Sequence, residues 1–355
     1  MNPEMKQLRD KLKGLKLDGM IVSNPANVRY LTGLDAEGYL IITPKENVFI
    51  TDGRFIEQVN HYLTIDSEIV CVELKTLTPY DYKSYFEGCE NVGFEERYVT
   101  YENYKNYLQT YQINLIETEG IVESQRIVKE EYEIEKIKRA CEITDKAFEF
   151  TINNIKRGMT EKELAFELNY QMIKNGAEGF AFETIVASGP NSSMPHAVPT
   201  DRKIEENDIV LFDFGAKYNG YCSDCSRTIF IGNVTQKQRK YYEFVLEEQK
   251  KAIENFKDET NLKTIVKNRE TDYRLENLSL IHALGHGVGL EIHEEPFLRS
   301  TVDYILKKDT IIAIEPGVYF PGEFGIRIED TCRVTKDRCE TLTNSKKDLK
   351  IVKLK

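Results

Sequence analysis

Four carboxylates and four histidines are the side chains in this chain best able to do chemistry together. The stretch DIVLFDFGAKYNGYCSDCSRTIFIG (208–232) reads as a β-hairpin turning at Asn219-Gly220, a strong short turn signal. A two-residue loop there sets Asp224 opposite Gly215 and Asp213 opposite Ser226. Asp213 and Asp224 then share one face as diagonal neighbours, within roughly 5–8 Å of each other. Phe212 and Phe214 point to the other face, where a core would lie. Two like charges this close repel unless a cation sits between them or the face is solvated. The stretch TIIAIEPGVYFPGEFGIRIEDTCRV (310–334) repeats the theme. A turn at Pro321-Gly322 sets Glu315 opposite Glu329, with Arg327 two residues away. A structural salt bridge to Arg327 is the alternative reading of that face.

The histidines are concentrated as well. The chain has five, and three of them, His282, His286 and His293, fall in IHALGHGVGLEIHEEP (281–296). His196 sits in the Gly/Pro-rich segment SGPNSSMPHAVPTDR (188–202), leaving only His61 elsewhere. His282 and His286 have the spacing of a helical zinc pair, but the glutamate of HExxH is missing and Gly285 and Gly287 weaken any helix. GHGVG resembles part of a dinucleotide fingerprint without its spacing or context. Cys222 and Cys225 form a Cys-x-x-Cys pair, yet on a strand they point to opposite faces, which disfavours chelation or redox pairing.

These residues need a scaffold, and the chain is long enough to build one. Its 355 residues suggest two domains or one large one. The net charge of −11 makes a nucleic-acid partner a poor fit. No stretch approaches about 18 consecutive apolar residues, as a membrane span would need. The amphipathic N-terminal segment MNPEMKQLRDKLKGLKLDG has no signal-peptide core. Seven scattered cysteines with no export signal point to reduced thiols in the cytoplasm.

The first ~120 residues alternate strand and helix patterns, an α/β arrangement. Strands are expected at 19–23, 39–43, 47–52, 91–96 and 113–118, and helices at 54–63, 79–88 and 101–111. A polar stretch at 119–131 marks a domain boundary, giving domains of 1–122 and 123–355. A long helix follows, with Ile134, Ile137, Cys141, Thr144, Phe148 and Ile155 on one face and Gly158 as its stop. Thr160 and Glu163 form a capping box for a second helix reaching Gly176. The remainder is strand-rich with two more helices.

Taken in order, VLFDFGAKYNGYCSDCSRT, HALGHGVGLEIHEEP, AIEPGVY and GIRIEDT resemble the successive motifs of the pita-bread metallopeptidases. That family includes methionine aminopeptidase, aminopeptidase P and prolidase. VSNPANVRYLTG and ITDGRFIEQ resemble the creatinase-type N-terminal domain of its proline-specific members. The resemblance implies an α/β creatinase-like N-terminal domain followed by an α+β pita-bread catalytic domain. It also implies a two-metal site of Asp213, Asp224, His286, Glu315 and Glu329. Asp213 would chelate one metal, Asp224 and Glu329 would bridge both, and His286 and Glu315 would complete the second. His196 and His293 match histidines that bind substrate and stabilise the transition state. Arg327, Tyr319 and His282 match supporting or substrate-binding positions. The segment 254–282 departs from the family pattern and reads as reworked, which leaves its local helix open.

Four carboxylates and one imidazole suit Mn²⁺, with Co²⁺ or Zn²⁺ as substitutes. By the family's chemistry, two such ions share a water and lower its pKa, leaving hydroxide to attack the scissile carbonyl. Glu315 would shuttle its proton to the leaving nitrogen. The expected activity is hydrolysis of an N-terminal Xaa-Pro bond in short peptides, by a prolidase-type dipeptidase. Aminopeptidase P, acting on longer peptides, is the alternative, and a non-catalytic scaffold on the same fold a remoter one. Methionine aminopeptidase is disfavoured by the extra N-terminal domain, and a creatinase-like hydrolase by the full set of five ligands. A homodimer acting on proline-containing peptides is implied by the resemblance.

Overall fold

The computed structural model describes residues 3–63 and 68–354, and Met1 and Asn2 of the amphipathic N-terminal segment lie outside it. The chain divides into two compact units, Met1–Arg126 and Ile127–Lys355.

The first unit carries a six-stranded sheet. Helix α1 (Pro3–Gly14) leads into β1 (Gly19–Val22), and α2 (Pro25–Thr32) follows. Asn24 starts α2 by accepting the Ala26 N–H, Pro25 occupies its first turn, and Gly33 closes it in the left-handed region at φ 75°. Next come β2 (Gly38–Ile42), β3 (Asn47–Thr51), α3 (Ile56–Tyr62), β4 (Ile69–Glu73), α4 (Pro79–Tyr85), β5 (Asn91–Phe94), α5 (Tyr101–Tyr111), β6 (Asn114–Glu117) and the short α6 (Glu123–Arg126). The sheet order is β4-β3-β2-β1-β5-β6, antiparallel through β1–β2–β3 and parallel at both ends. All five expected strands and all three expected helices are present. The helices α1, α2 and α6 and the edge strand β4 are additions to that reading.

The second unit opens with α7 (Glu131–Asn153) and α8 (Glu161–Lys174). The buried face of α7 includes Ile134, Ile137, Cys141, Thr144 and Phe148, as its spacing requires. The helix stops at Asn153, earlier than the expected stop at Gly158: the Asn154 N–H bonds back three residues to the Thr151 carbonyl and tightens the last turn. Ile155 is still buried beyond the helix end. Thr160 and Glu163 form the expected capping box of α8. The strands β7 (Gly179–Phe180), β8 (Ile185–Ser188), β9 (Ile209–Phe214), β10 (Ala216–Tyr218), β11 (Tyr221–Cys222) and β12 (Cys225–Ile231) follow. After α9 (Gln236–Asn255) comes α10 (Leu262–Leu275), so the reworked segment does form a helix. Then come β13 (Gly285–Gly287), β14 (Ile311–Ile314), β15 (Gly317–Phe320), β16 (Phe324–Arg327), β17 (Asp330–Val334), β18 (Cys339–Thr341) and β19 (Lys350–Val352).

Two four-stranded sheets dominate this unit, ordered β19-β12-β9-β8 and β13-β14-β17-β18. Helix α7 packs on the first sheet through Phe148, whose ring lies 5.5 Å from Phe212 and 5.1 Å from Phe214, and α8 adds Leu164, Leu168 and Met172 to the same core. Helices α9 and α10 contribute Ala252, Leu262 and Ile265 to the core of the second, joined by Phe256 just after α9. Because Phe212 and Phe214 face that helical layer, alternation turns Asp213 to the opposite face.

Candidate metal centre

Each of the two carboxylate-bearing hairpins is broken near its acids: Asp224, Glu315 and Glu329 lie in the breaks, and Asp213 is in the ladder beside the first. In the first, Ser226 pairs with Asp213 and Lys217 with Cys222, as the Asn219-Gly220 turn requires. Gly215 and Ser223–Asp224 interrupt the ladder between those pairs. A Cβ on Gly215 would stand 1.9 Å from the Ser223 carbonyl oxygen, so only glycine fits this pinch. In the second hairpin, Gly317 pairs with Arg327 and Ile314 with Asp330, with one register running through both ladders. Glu315 and Glu329 fall in the gap between them. His286 arrives on β13, which pairs with β14 at Ala313. Its flanking glycines are fixed by crowding: a Cβ on Gly285 would meet the Ala313 carbonyl oxygen at 1.9 Å, and one on Gly287 the Glu295 carbonyl oxygen at 2.3 Å.

The five side chains converge. Asp224, His286 and Glu329 offer donor atoms that all lie within 4.8 Å of one another. His286 Nε2 is 3.4 Å from Asp224 Oδ2 and 3.8 Å from Glu315 Oε1. Its Nδ1 faces the Gly287 carbonyl at 3.0 Å. A proton on Nδ1 leaves the Nε2 lone pair directed at the carboxylates. Arg327 donates to Asp213 Oδ2 at 2.6 Å. Asp213 Oδ1 and Asp224 Oδ1 are buried with no hydrogen-bond partner. Ser226, which the hairpin register sets opposite Asp213, also accepts from Arg327 Nε at 2.8 Å and donates to Glu329 Oε2 at 2.6 Å.

Burial, then the neighbouring carboxylates, push Asp224 and Glu329 well above the usual carboxylate range. Burial raises Glu315 to about 8, with Asp213 adding to the effect and Arg327 opposing it. Burial, helped by His293, lowers His286 to about 4, so its imidazole is neutral at pH 7. A cluster in which Asp224, Glu315 and Glu329 resist ionisation, with orphaned buried oxygens on Asp213 and Asp224 and a neutral imidazole, has the donor set and charge deficit that divalent cations complement.

The other histidines surround this cluster. The His293 ring stands edge-on to His286 with centroids 4.4 Å apart. His282 Nδ1 faces the Ala283 carbonyl at 2.8 Å, and its Nε2 faces the Tyr319 hydroxyl at 3.1 Å. That hydroxyl accepts from Arg327 Nη1 at 2.7 Å. Asp213, Arg327, Tyr319 and His282 thus form one hydrogen-bonded chain. His196 lies close enough to His282 and His293 to disfavour the charged form of each. Its loop is held at both ends by the buried Glu161 of α8. The Glu161 carboxylate accepts from the N–H and hydroxyl of Ser188, from Asn191, and from the N–H and hydroxyl of Thr200. Lys129 and Glu294 form a buried ion pair at 2.6 Å beside His293. Cys222 and Cys225 are free and buried, Cys222 facing the Leu290 carbonyl and Cys225 lying in the core beneath α7. A cavity of about 340 Å³ adjoins His282, and Arg299 and Glu270 are among its lining residues.

Residues 135–336 match the profile of metallopeptidase family M24, and residues 5–128 that of the creatinase/prolidase N-terminal domain. The chain belongs to metallopeptidase family M24, and its second unit has the pita-bread fold. Among curated relatives, the Xaa-Pro dipeptidase of Pyrococcus horikoshii is 35% identical over 98% of this chain and 99% of its own. Among solved structures, the Xaa-Pro dipeptidase from Bacillus anthracis superposes with a TM-score of 0.93 at 34% identity, covering 98% of this chain and 99% of that one. The X-Pro aminopeptidase from Thermotoga maritima gives 0.86 at 32% identity, covering 97% and 100%.

Proposed function

We propose that this chain is a two-metal Xaa-Pro peptidase of the prolidase type. The reading is carried by the donor atoms of Asp224, His286 and Glu329 within 4.8 Å of one another, beside Glu315 and with orphaned buried oxygens on Asp213 and Asp224. In this reading Asp213, Asp224, His286, Glu315 and Glu329 hold two divalent cations, with Mn²⁺ preferred for an oxygen-rich set with one imidazole. Bound there, the ions would supply Lewis acidity and lower the pKa of a shared water.

The protein's own residues do the rest. The Glu315 side chain is 18% exposed, against 5% for Asp224 and His286, so it is the acid of the cluster most open to substrate. It takes the proton of the attacking water and returns it to the proline nitrogen as that nitrogen leaves. His293 and His196 are exposed at the mouth of the cluster and stabilise the charge developing on the carbonyl oxygen. Arg327 fixes Asp213 and, through Tyr319, orients His282.

Dipeptidase names recur among the relatives, and Arg299 in the cavity beside His282 gives a free C-terminal carboxylate a cation to meet. The seven cysteines are all free, which supports a reducing compartment such as the cytoplasm. The homodimer rests on the family resemblance, and a light-scattering mass of one 41.1 kDa chain would reject it. The decisive assay compares Ala-Pro, Ala-Pro-Ala and Ala-Ala after Mn²⁺ loading. Hydrolysis of Ala-Pro well above the other two is expected. Efficient cleavage of Ala-Pro-Ala would assign the chain to the aminopeptidase class instead.

A further inference from the structure

The two broken hairpins meet along a seam that is not a β-ladder. Asp224-x-Ser226-x-Thr228 runs antiparallel to Arg327-x-Glu329-x-Thr331. At the middle of the seam the Glu329 N–H donates to the Ser226 carbonyl at 3.1 Å, and Ser226 Oγ donates to the Glu329 carboxylate. At each end a threonine hydroxyl takes the place of a backbone partner. Thr331 Oγ1 accepts the Asp224 N–H at 2.9 Å and donates to the Asp224 carbonyl at 2.8 Å. Thr228 Oγ1 accepts the Arg327 N–H at 3.2 Å and donates to the Arg327 carbonyl at 3.0 Å.

Asp224 lies in the gap between β11 and β12, where it has no ladder partner, and it is 3% exposed. Both of its backbone groups would be stranded in the interior without the Thr331 hydroxyl. Arg327 at the other end of the seam carries Asp213, Tyr319 and Ser226 on its guanidinium. Thr331 and Thr228 are themselves buried, and their hydroxyls bond the backbone of Asp224 and Arg327 rather than the side chains of the four carboxylates and His286.

We infer that Thr331 and Thr228 are positioning residues: a double hydroxyl clasp sets the backbone of Asp224 and Arg327, and through them the spacing of the metal-binding carboxylates. This inference rests on the two-metal reading above. Its test is a calorimetric Mn²⁺ titration of metal-free protein, comparing wild type with Thr331→Val, Thr331→Ser and Asp224→Asn. Valine keeps the shape and removes the hydroxyl, whereas serine keeps the hydroxyl. Thr331→Val should weaken Mn²⁺ binding about 10–100-fold, and Thr331→Ser should stay within about threefold of wild type. Wild-type affinity in Thr331→Val, or equal weakening in Thr331→Ser, would overturn the clasp. Should Thr331→Val fail to fold, Thr228→Val carries the same test from the other end: weakened binding supports the clasp and wild-type binding overturns it. Asp224→Asn separates the two levels. If it binds Mn²⁺ as wild type does, the metal-centre reading itself fails. If it loses binding while Thr331→Val does not, the clasp alone fails.

Discussion

Glu161 governs the site without touching the carboxylate cluster. It is fully buried and gathers donors from both ends of the loop carrying His196. Burial alone would raise its pKa, but the hydrogen bonds from Thr200 and Ser188 outweigh burial and hold the carboxyl below its usual 4.5. A carboxyl depressed in the folded state adds stability that is complete above about pH 4.5 and is lost as pH falls through the folded value. Glu161→Gln should therefore lower the melting temperature at pH 7 and flatten its decline below pH 4.5. By loosening His196 it should also cut kcat/KM, by up to about 100-fold. Melting curves from pH 3 to 7 check this, and a slope equal to wild type would contradict it. The sequence exposed Asp213 and Asp224 because a local turn sets their register. It concealed Glu161, whose partners lie 27 to 39 residues away and whose place in the first turn of a helix resembles that of an ordinary surface acid. Thr331 and the bond from Ser226 to Glu329 were concealed for the same reason: they act on residues 107 and 103 positions away.

Among the elements, the hairpins were legible down to the residue pair, because turn chemistry and period-2 alternation are local rules. The breaks in them were not, since a ladder gap depends on what approaches from another sheet. Gly215 marks such a gap, with the Ser223 carbonyl pressed against its α-carbon. Gly215→Ala is expected to destabilise the metal-free protein by about 1–3 kcal/mol, read as a lower urea midpoint. An unchanged midpoint would show that the strands can part without cost. Helix α2 was signalled by Asn24-Pro25 at its start and Gly33 at its end, a cap-to-cap pattern that reads as a helix once its eight residues are taken as an element rather than a motif. Strand β4 is half-buried at the sheet edge, so it shows neither the unbroken apolar run of β3 nor a clean alternation. Helix α7 ends before Gly158 because the closing bond to Thr151 is set by local backbone geometry that no single residue type announces.

At the scale of the whole molecule, an α/β unit and a unit of paired hairpins were visible as a change in pattern near residue 120. The small sheets β10–β11 and β15–β16 are the tips of the two hairpins already read from their turns, whereas β7, two residues long, carries no periodic signal of its own. What unifies the second unit is the placement of Asp224, Glu315 and Glu329 at the gaps of two hairpins, with Asp213 beside one gap on β9 and His286 on the short β13. The proposed function requires that these five side chains hold two cations. Metal analysis of the full-length protein, dialysed after Mn²⁺ loading and assayed in parallel on Ala-Pro, tests this most directly. Two Mn²⁺ per chain, with turnover of Ala-Pro that disappears on chelation, is the predicted result. Fewer than one Mn²⁺ per chain, with no peptide hydrolysis, would contradict it.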